Sequence, residues 1–165
     1  MKIFLDVDGV FADFDRAIET LGIPRTEHHS NDIWKYLNQV PNFFYKLEVM
    51  HGSIEIIKEL QAAGHDLEFL TALPIPTGLL ATADADKRRW LPEKISSTIP
   101  INTVVGGKNK VRWLVNNPGA VLIDDYERNI NLWREHGGIG ILHTSVKNTL
   151  HELKMLGLTH DHETT

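Results

Sequence analysis

Five short stretches of the chain are apolar almost without a break: residues 2–7 (KIFLDV), 67–73 (LEFLTAL), 101–105 (INTVV), 120–125 (AVLIDD) and 139–143 (IGILH). Continuous apolarity without alternation is the mark of parallel strands covered on both faces. Helical patterns separate them. Residues 53–63 set Ile54, Ile57 and Leu60 on one face, beginning at Ser53 and stopping at Gly64. Residues 84–91, 109–116, 127–136 and 146–156 read as further helices, the last two ending at Gly137-Gly138 and at Gly157. Strands alternating with helices predict right-handed crossovers and a doubly wound, parallel α/β sheet.

One segment breaks the alternation. Roughly forty residues lie between the first strand and Ser53, too many for a plain loop in a compact domain. They carry Phe11, Phe14, Trp34, Tyr36, Phe43, Phe44 and Tyr45, and residues 13–21 have a helical pattern. The expected organisation is an α/β core from 1–14 and 51–158, with a small helical cap at 15–50 inserted after the first strand. The polar tail 159–165 is expected to be disordered.

The chain's 165 residues suffice for one core. A formal net charge of −5 argues against nucleic-acid polymers and anionic membranes as partners. No apolar run is long enough to span a membrane, and Asp6 and Asp8 interrupt the N-terminal one. With no cysteine present, a cytoplasmic setting is expected.

In an open parallel sheet, ligands bind beyond the carboxyl ends of the strands. The polar residues predicted there are Asp6 and Asp8 after the first strand, Thr71 on the second, Lys108 and Lys110 after the third, and Asp124 and Asp125 on the fourth. Taken singly, such aspartates are often only turn formers. As a set they are carboxylates converging on one crevice, where they repel one another unless a cation is present. Hard oxygen ligands in that number suit Mg²⁺. Lysine and threonine donors beside them suit an anion, and metal with anion donors points to phosphate. The stretch GGKNK is not a P-loop, since the upstream glycine and the following Ser/Thr are both missing.

These motifs together resemble the haloacid dehalogenase superfamily of phosphatases. DVDGV is similar to its first signature, Thr71 to its second and LIDD (122–125) to its fourth. FLTALP, KRRWL (87–91) and LIDDYERNINLWREHGGIGILH are similar to the small deoxyribonucleotidase-like branch, so the likeness runs over residues 1 to 145. The resemblance implies that Asp6 is the nucleophile forming an aspartyl-phosphate. Asp8 would be the general acid and then base, lending its backbone carbonyl to Mg²⁺. Thr71, with the neighbouring Ala72, would hold the phosphoryl oxygens, aided by backbone N–H groups around Val7 to Gly9. A lysine, Lys110 or alternatively Lys108, would balance the charge of nucleophile and phosphate. Asp124 or Asp125 would complete the metal site, the other bracing it, and Asn129 would either brace the acidic loop or simply face outward on its helix. Phe11, Phe44 and Tyr45 are candidates to stack on a nucleobase, or else pack the cap. The implied activity is Mg²⁺-dependent hydrolysis of small phosphate monoesters, deoxyribonucleotides or otherwise sugar phosphates. A phospho-accepting receiver domain is the alternative from another class. It places its phosphorylated aspartate alone on a later strand, unlike the order Asp-x-Asp, Thr, Lys, Asp-Asp found here.

Overall fold

A computed structural model describes residues 1–160. The five predicted strands form one sheet: β1 Lys2–Leu5, β2 Asp66–Leu73, β3 Ile101–Val105, β4 Val121–Asp124 and β5 Ile139–Leu142. All pairings are parallel, in the order β3-β2-β1-β4-β5. That order, with the reversal of winding at β1, differs from the 2-1-3-4-5 order of flavodoxin-like sheets, to which receivers belong. The receiver alternative therefore falls on topology as well as on motif order.

Six α-helices accompany the strands among the described residues: α1 Phe14–Thr20, α2 Ile33–Leu37, α3 Ile54–Ala62, α4 Ala83–Lys94, α5 Glu127–Glu135 and α6 Val146–Met155. The helix expected over 109–116 is instead a tight 3-10 segment, Gly107–Leu114. Strand period sorts the core into two layers. Ile3, Leu5, Phe69 and Ile123 face one side with Ile57 of α3, Trp90 of α4 and Leu153 of α6. Phe4, Leu70 and Leu122 face the other, with Leu114 of the 3-10 segment and Ile130 and Trp133 of α5. Burial on both faces is why these strands lack alternation in sequence.

Residues 14–46 fold as α1, α2 and two 3-10 turns, Arg25–Glu27 and Phe44–Lys46. Their entry and exit strands meet at the base, where Asp13 N donates to Glu48 O (2.9 Å) and Met50 N to Phe11 O (2.7 Å). Phe14, Phe43 and Phe44 pack mutually, and Phe43 and Phe44 belong to the same apolar cluster as the sheet. Trp90 Nε1 of α4 donates to Leu47 O at 2.8 Å, fastening this segment to the α4 side of the sheet. Of the tail, residues 161–165 lie outside the described residues.

Candidate active site

Sheet register assembles the acidic residues. Leu5 pairs with Ile123, so one step further Asp6 stands beside Asp124. Asp6 N continues the ladder by donating to Ile123 O at 2.9 Å, holding the chain in line just past β1. Asp124 is fully buried, and its Oδ1 accepts from Tyr126 N at 2.9 Å while its Oδ2 accepts from Asn129 Nδ2 at 3.1 Å. Of the two readings open for Asn129, bracing of the acidic loop is the one the geometry supports.

The two lysines of the site arrive from opposite faces of the sheet. Lys110 comes from the 3-10 segment on the α5 side; it is 1% exposed, and its Nζ lies 2.8 Å from both Asp6 Oδ1 and Asp124 Oδ2. Burial alone would lower the Lys110 pKa, but the two carboxylates outweigh it and raise it well above the ordinary lysine range. Lys108, two residues away, is exposed. Of the two, Lys110 is the one that reaches the carboxylates.

Lys87 comes from α4 on the other side, and the sequence reading did not single it out. It is 2% exposed, and its Nζ donates to Asp8 Oδ2 at 2.7 Å, Thr71 Oγ1 at 2.7 Å and Ala72 O at 2.9 Å. A sequence signal for it exists. Ala83, Asp86, Lys87, Trp90 and Leu91 fall at the spacing of one buried helical stripe, so two charges stand at core positions. Buried charges require partners. Asp86 finds them in Asn42 Nδ2 (2.9 Å) and Thr82 Oγ1 (3.0 Å); Lys87 finds them in the site.

Three carboxylates, Asp6, Asp124 and Asp125, offer oxygens all within 4.8 Å of one another. Lys110 balances part of this charge only. Burial and the Asp6 charge push Asp124 up to about 6 from 3.8, against the pull of Lys110. Burial of the carboxyl end and the charges of Asp6 and Asp124 push Asp125 up to about 10. Gly9, at φ +82°, is what lets Asp125 sit there, because a Cβ on residue 9 would overlap Asp125 Oδ2 and Cγ. The Asp8 carboxylate is turned toward Lys87; its Oδ1 is buried and has no hydrogen-bond partner among the described residues. An all-oxygen set with surplus negative charge fits a hard divalent cation such as Mg²⁺.

Of the two readings open for Phe11, Phe44 and Tyr45, packing is the one the geometry supports. Phe11 is fully buried and packs edge-on against Phe69 (5.8 Å), so it has no face to offer a base. Phe44 is 2% exposed and its ring lies 4.6 Å from Lys87 Nζ, which makes it a cover for that ammonium instead of a stacking platform. Tyr45 is turned to the outer side of α4, donating to Glu93 Oε2 at 2.6 Å beneath Arg89 at 4.1 Å. Arg89 covers the Tyr45 ring and also donates to Glu93 Oε1 at 3.1 Å. Gly9 N donates to Ala12 O at 2.9 Å and is not free for an anion. Thr71 is fully buried and Ala72 presents its carbonyl to Lys87.

Solved structures of similar fold cover nearly the whole chain. A hydrolase from Streptococcus pneumoniae TIGR4 has a TM-score of 0.51 at 12% identity, with 94% of this chain and 97% of that one covered. A predicted HAD-like family hydrolase from Porphyromonas gingivalis gives 0.53 at 13%, covering 94% and 96%. A HAD family hydrolase from Deinococcus radiodurans R1, solved with bound phosphate and sodium, gives 0.53 at 12%, covering 96% of each chain. At such identities the likeness shows the fold alone. No curated protein matches the chain significantly. The sequence model of the family described as "5' nucleotidase, deoxy (Pyrimidine), cytosolic type C protein" matches residues 18–156, a span that holds Thr71, Lys87, Lys110, Asp124 and Asp125. The match covers most of the chain and agrees with both the fold and the motif order: the chain belongs to this family of HAD-fold hydrolases and is an enzyme of the phosphatase class.

Proposed function

We propose that the enzyme hydrolyses small phosphate monoesters, nucleoside 5′-monophosphates and deoxyribonucleotides foremost, through an aspartyl-phosphate on Asp6. The observation that carries this is the division of labour between two neighbouring carboxylates. Asp6 stands against Lys110 and the acidic cluster, while Asp8, two residues on, is held by Lys87 with one oxygen unpaired. Asp6 thus stands with its lysine against the acidic cluster, where a nucleophile is wanted, and Asp8 is turned aside to a different lysine with one oxygen left to handle a proton.

Asp6 attacks phosphorus, the bond from phosphorus to the ester oxygen breaks, and Asp8 gives that oxygen its proton. Water then attacks the phosphorus of the aspartyl-phosphate, Asp8 takes the proton back, and Asp6 is released with inorganic phosphate. Lys110 offsets charge on Asp6 and on the phosphoryl group throughout, and Thr71 donates its hydroxyl to a phosphoryl oxygen. Asp6, Asp124, Asp125 and the Asp8 carbonyl would hold Mg²⁺. When bound, the ion supplies the positive charge that lets an anionic nucleophile meet an anionic substrate.

The nucleotide assignment rests on the family, whose name describes deoxy-pyrimidine 5′ nucleotidases of cytosolic type. A cytoplasmic location is proposed on the strength of the same name. No described helix is long and apolar enough to cross a membrane. The test is hydrolysis of a panel of deoxy- and ribonucleoside monophosphates and sugar phosphates with Mg²⁺, with and without chelator. Asp6→Asn should lower turnover by at least about a thousandfold, the scale expected when a covalent nucleophile is lost. Normal turnover by Asp6→Asn would sink the mechanism. Strong hydrolysis of sugar phosphates with none of nucleotides would replace the substrate class only.

A further inference from the structure

Lys87 holds Asp8 but was given no step in the chemistry just described, although its ammonium is buried and fully engaged on the α4 side of the site. An ammonium has three protons to donate. Here all three are used, on Asp8 Oδ2, Thr71 Oγ1 and Ala72 O, at 2.7, 2.7 and 2.9 Å. Phe44 covers the same ammonium at 4.6 Å, and the residue before it, Asp86, pins α4 to Asn42 of the inserted segment. A lysine so saturated and enclosed is badly placed to bind phosphate, but well placed to fix what surrounds it.

We propose that Lys87 is the positioning residue of proton transfer, an inference that rests on the phosphatase reading above. By holding Oδ2, it fixes the Asp8 carboxyl so that the unpaired Oδ1 is the oxygen that carries the proton to the ester oxygen. By donating to Thr71 Oγ1, it occupies a lone pair there and turns the hydroxyl hydrogen toward the phosphoryl group. The Ala72 carbonyl ties both to the end of β2, so acid and donor share one rigid anchor.

Substrates whose leaving groups differ in their need for a proton separate this role from others. A nucleoside monophosphate expels a poor alkoxide that must be protonated as the bond breaks, whereas p-nitrophenyl phosphate expels a stable phenolate. Lys87→Met should lower kcat on deoxynucleoside monophosphates about a hundredfold, within the range of general-acid losses, with little change in KM. The pre-steady-state burst of nitrophenolate should keep its rate to within about fivefold, since the first step on that ester needs no acid. In an Asp8→Asn background, Lys87→Met should add almost nothing on the nucleotide, because the two act as a unit. Lys87→Gln, which keeps a donor without the charge, reads the same ratio if the methionine variant does not fold. Equal losses on both substrates, or a KM rise shared by both with kcat kept, would overturn the proposal in favour of a structural or phosphate-binding lysine. Wild-type protein inactive on both esters would overturn the phosphatase reading, and the inference with it.

Discussion

Gly9→Ala separates the fold from the proposed metal site with one methyl group. Residue 9 has φ +82°, where a Cβ costs about 1–2 kcal/mol of backbone strain. The added carbon would overlap Asp125 Oδ2 and Cγ and stand 3.0 Å from Oδ1, so the carboxylate must retreat by about an ångström or more to regain contact distance. Asp125 is an exposed residue, so it can swing into water at little cost. The metal-free variant should therefore melt only about 2–8 °C below wild type, at 2–4 °C per kcal/mol for a chain of this size. Its response to Mg²⁺ should change far more. At a hundred times Kd, bound metal stabilises by about 2.7 kcal/mol, and a hundredfold weaker site keeps only about 0.4 kcal/mol. Thermal melts over a Mg²⁺ series, with calorimetric titration of the same samples, check both numbers. A Gly9→Ala protein that gains as much Tm from Mg²⁺ as wild type at every concentration would refute the placement of Asp125 in the metal site.

Three other outcomes follow from the same geometry. Asp124 and Asp125, raised to about 6 and about 10, keep protons in the metal-free folded state that the unfolded chain has already released. Their favourable share is complete below about pH 4 and is lost as pH climbs through those folded values, so Tm in chelator should fall from acid toward neutral pH while the gap to the Mg²⁺-bound protein widens. A flat or rising chelator curve would contradict the surplus-charge account. Lys110→Met leaves Asp6 and Asp124 buried without their shared cation and should cost about 3–5 kcal/mol in urea denaturation without metal, where a loss below about 1 kcal/mol would show the pair to be hydrated. Trp90→Phe strands the buried Leu47 carbonyl and should cost about 1–3 kcal/mol, with faster amide exchange across residues 42–50; unchanged exchange there would show that this bond does not fasten the segment.

Lys87 shows where reading the chain along its length falls short. Asp6, Asp8, Thr71, Asp124 and Asp125 were legible as candidates because each lies at, near or just beyond the carboxyl end of a strand, and in a parallel sheet every strand delivers that end to one edge. Lys87 lies in mid-helix, and its part in the site depends on which face of α4 turns inward. The aromatic residues stayed open between two readings for a related reason. Phe11, Phe44 and Tyr45 have the same chemistry in sequence whether their faces are open or covered. Packing covers Phe11 with Phe69, sets Phe44 on Lys87 and turns Tyr45 toward Glu93 and Arg89.

What the chain determined without its coordinates is the sheet, its parallel sense and the acidic edge, all consequences of local period and of short connections that leave few topologies. The pairing of each charge was settled only in three dimensions. Strand parity sends Phe4 and Leu122 to one face and Leu5 and Phe69 to the other. Lys110 therefore reaches Asp6 and Asp124 from below the sheet, as Lys87 reaches Thr71 and Asp8 from above. A buried charge must be matched within a few ångströms, and such distances between residues far apart in sequence exist only after the core has closed.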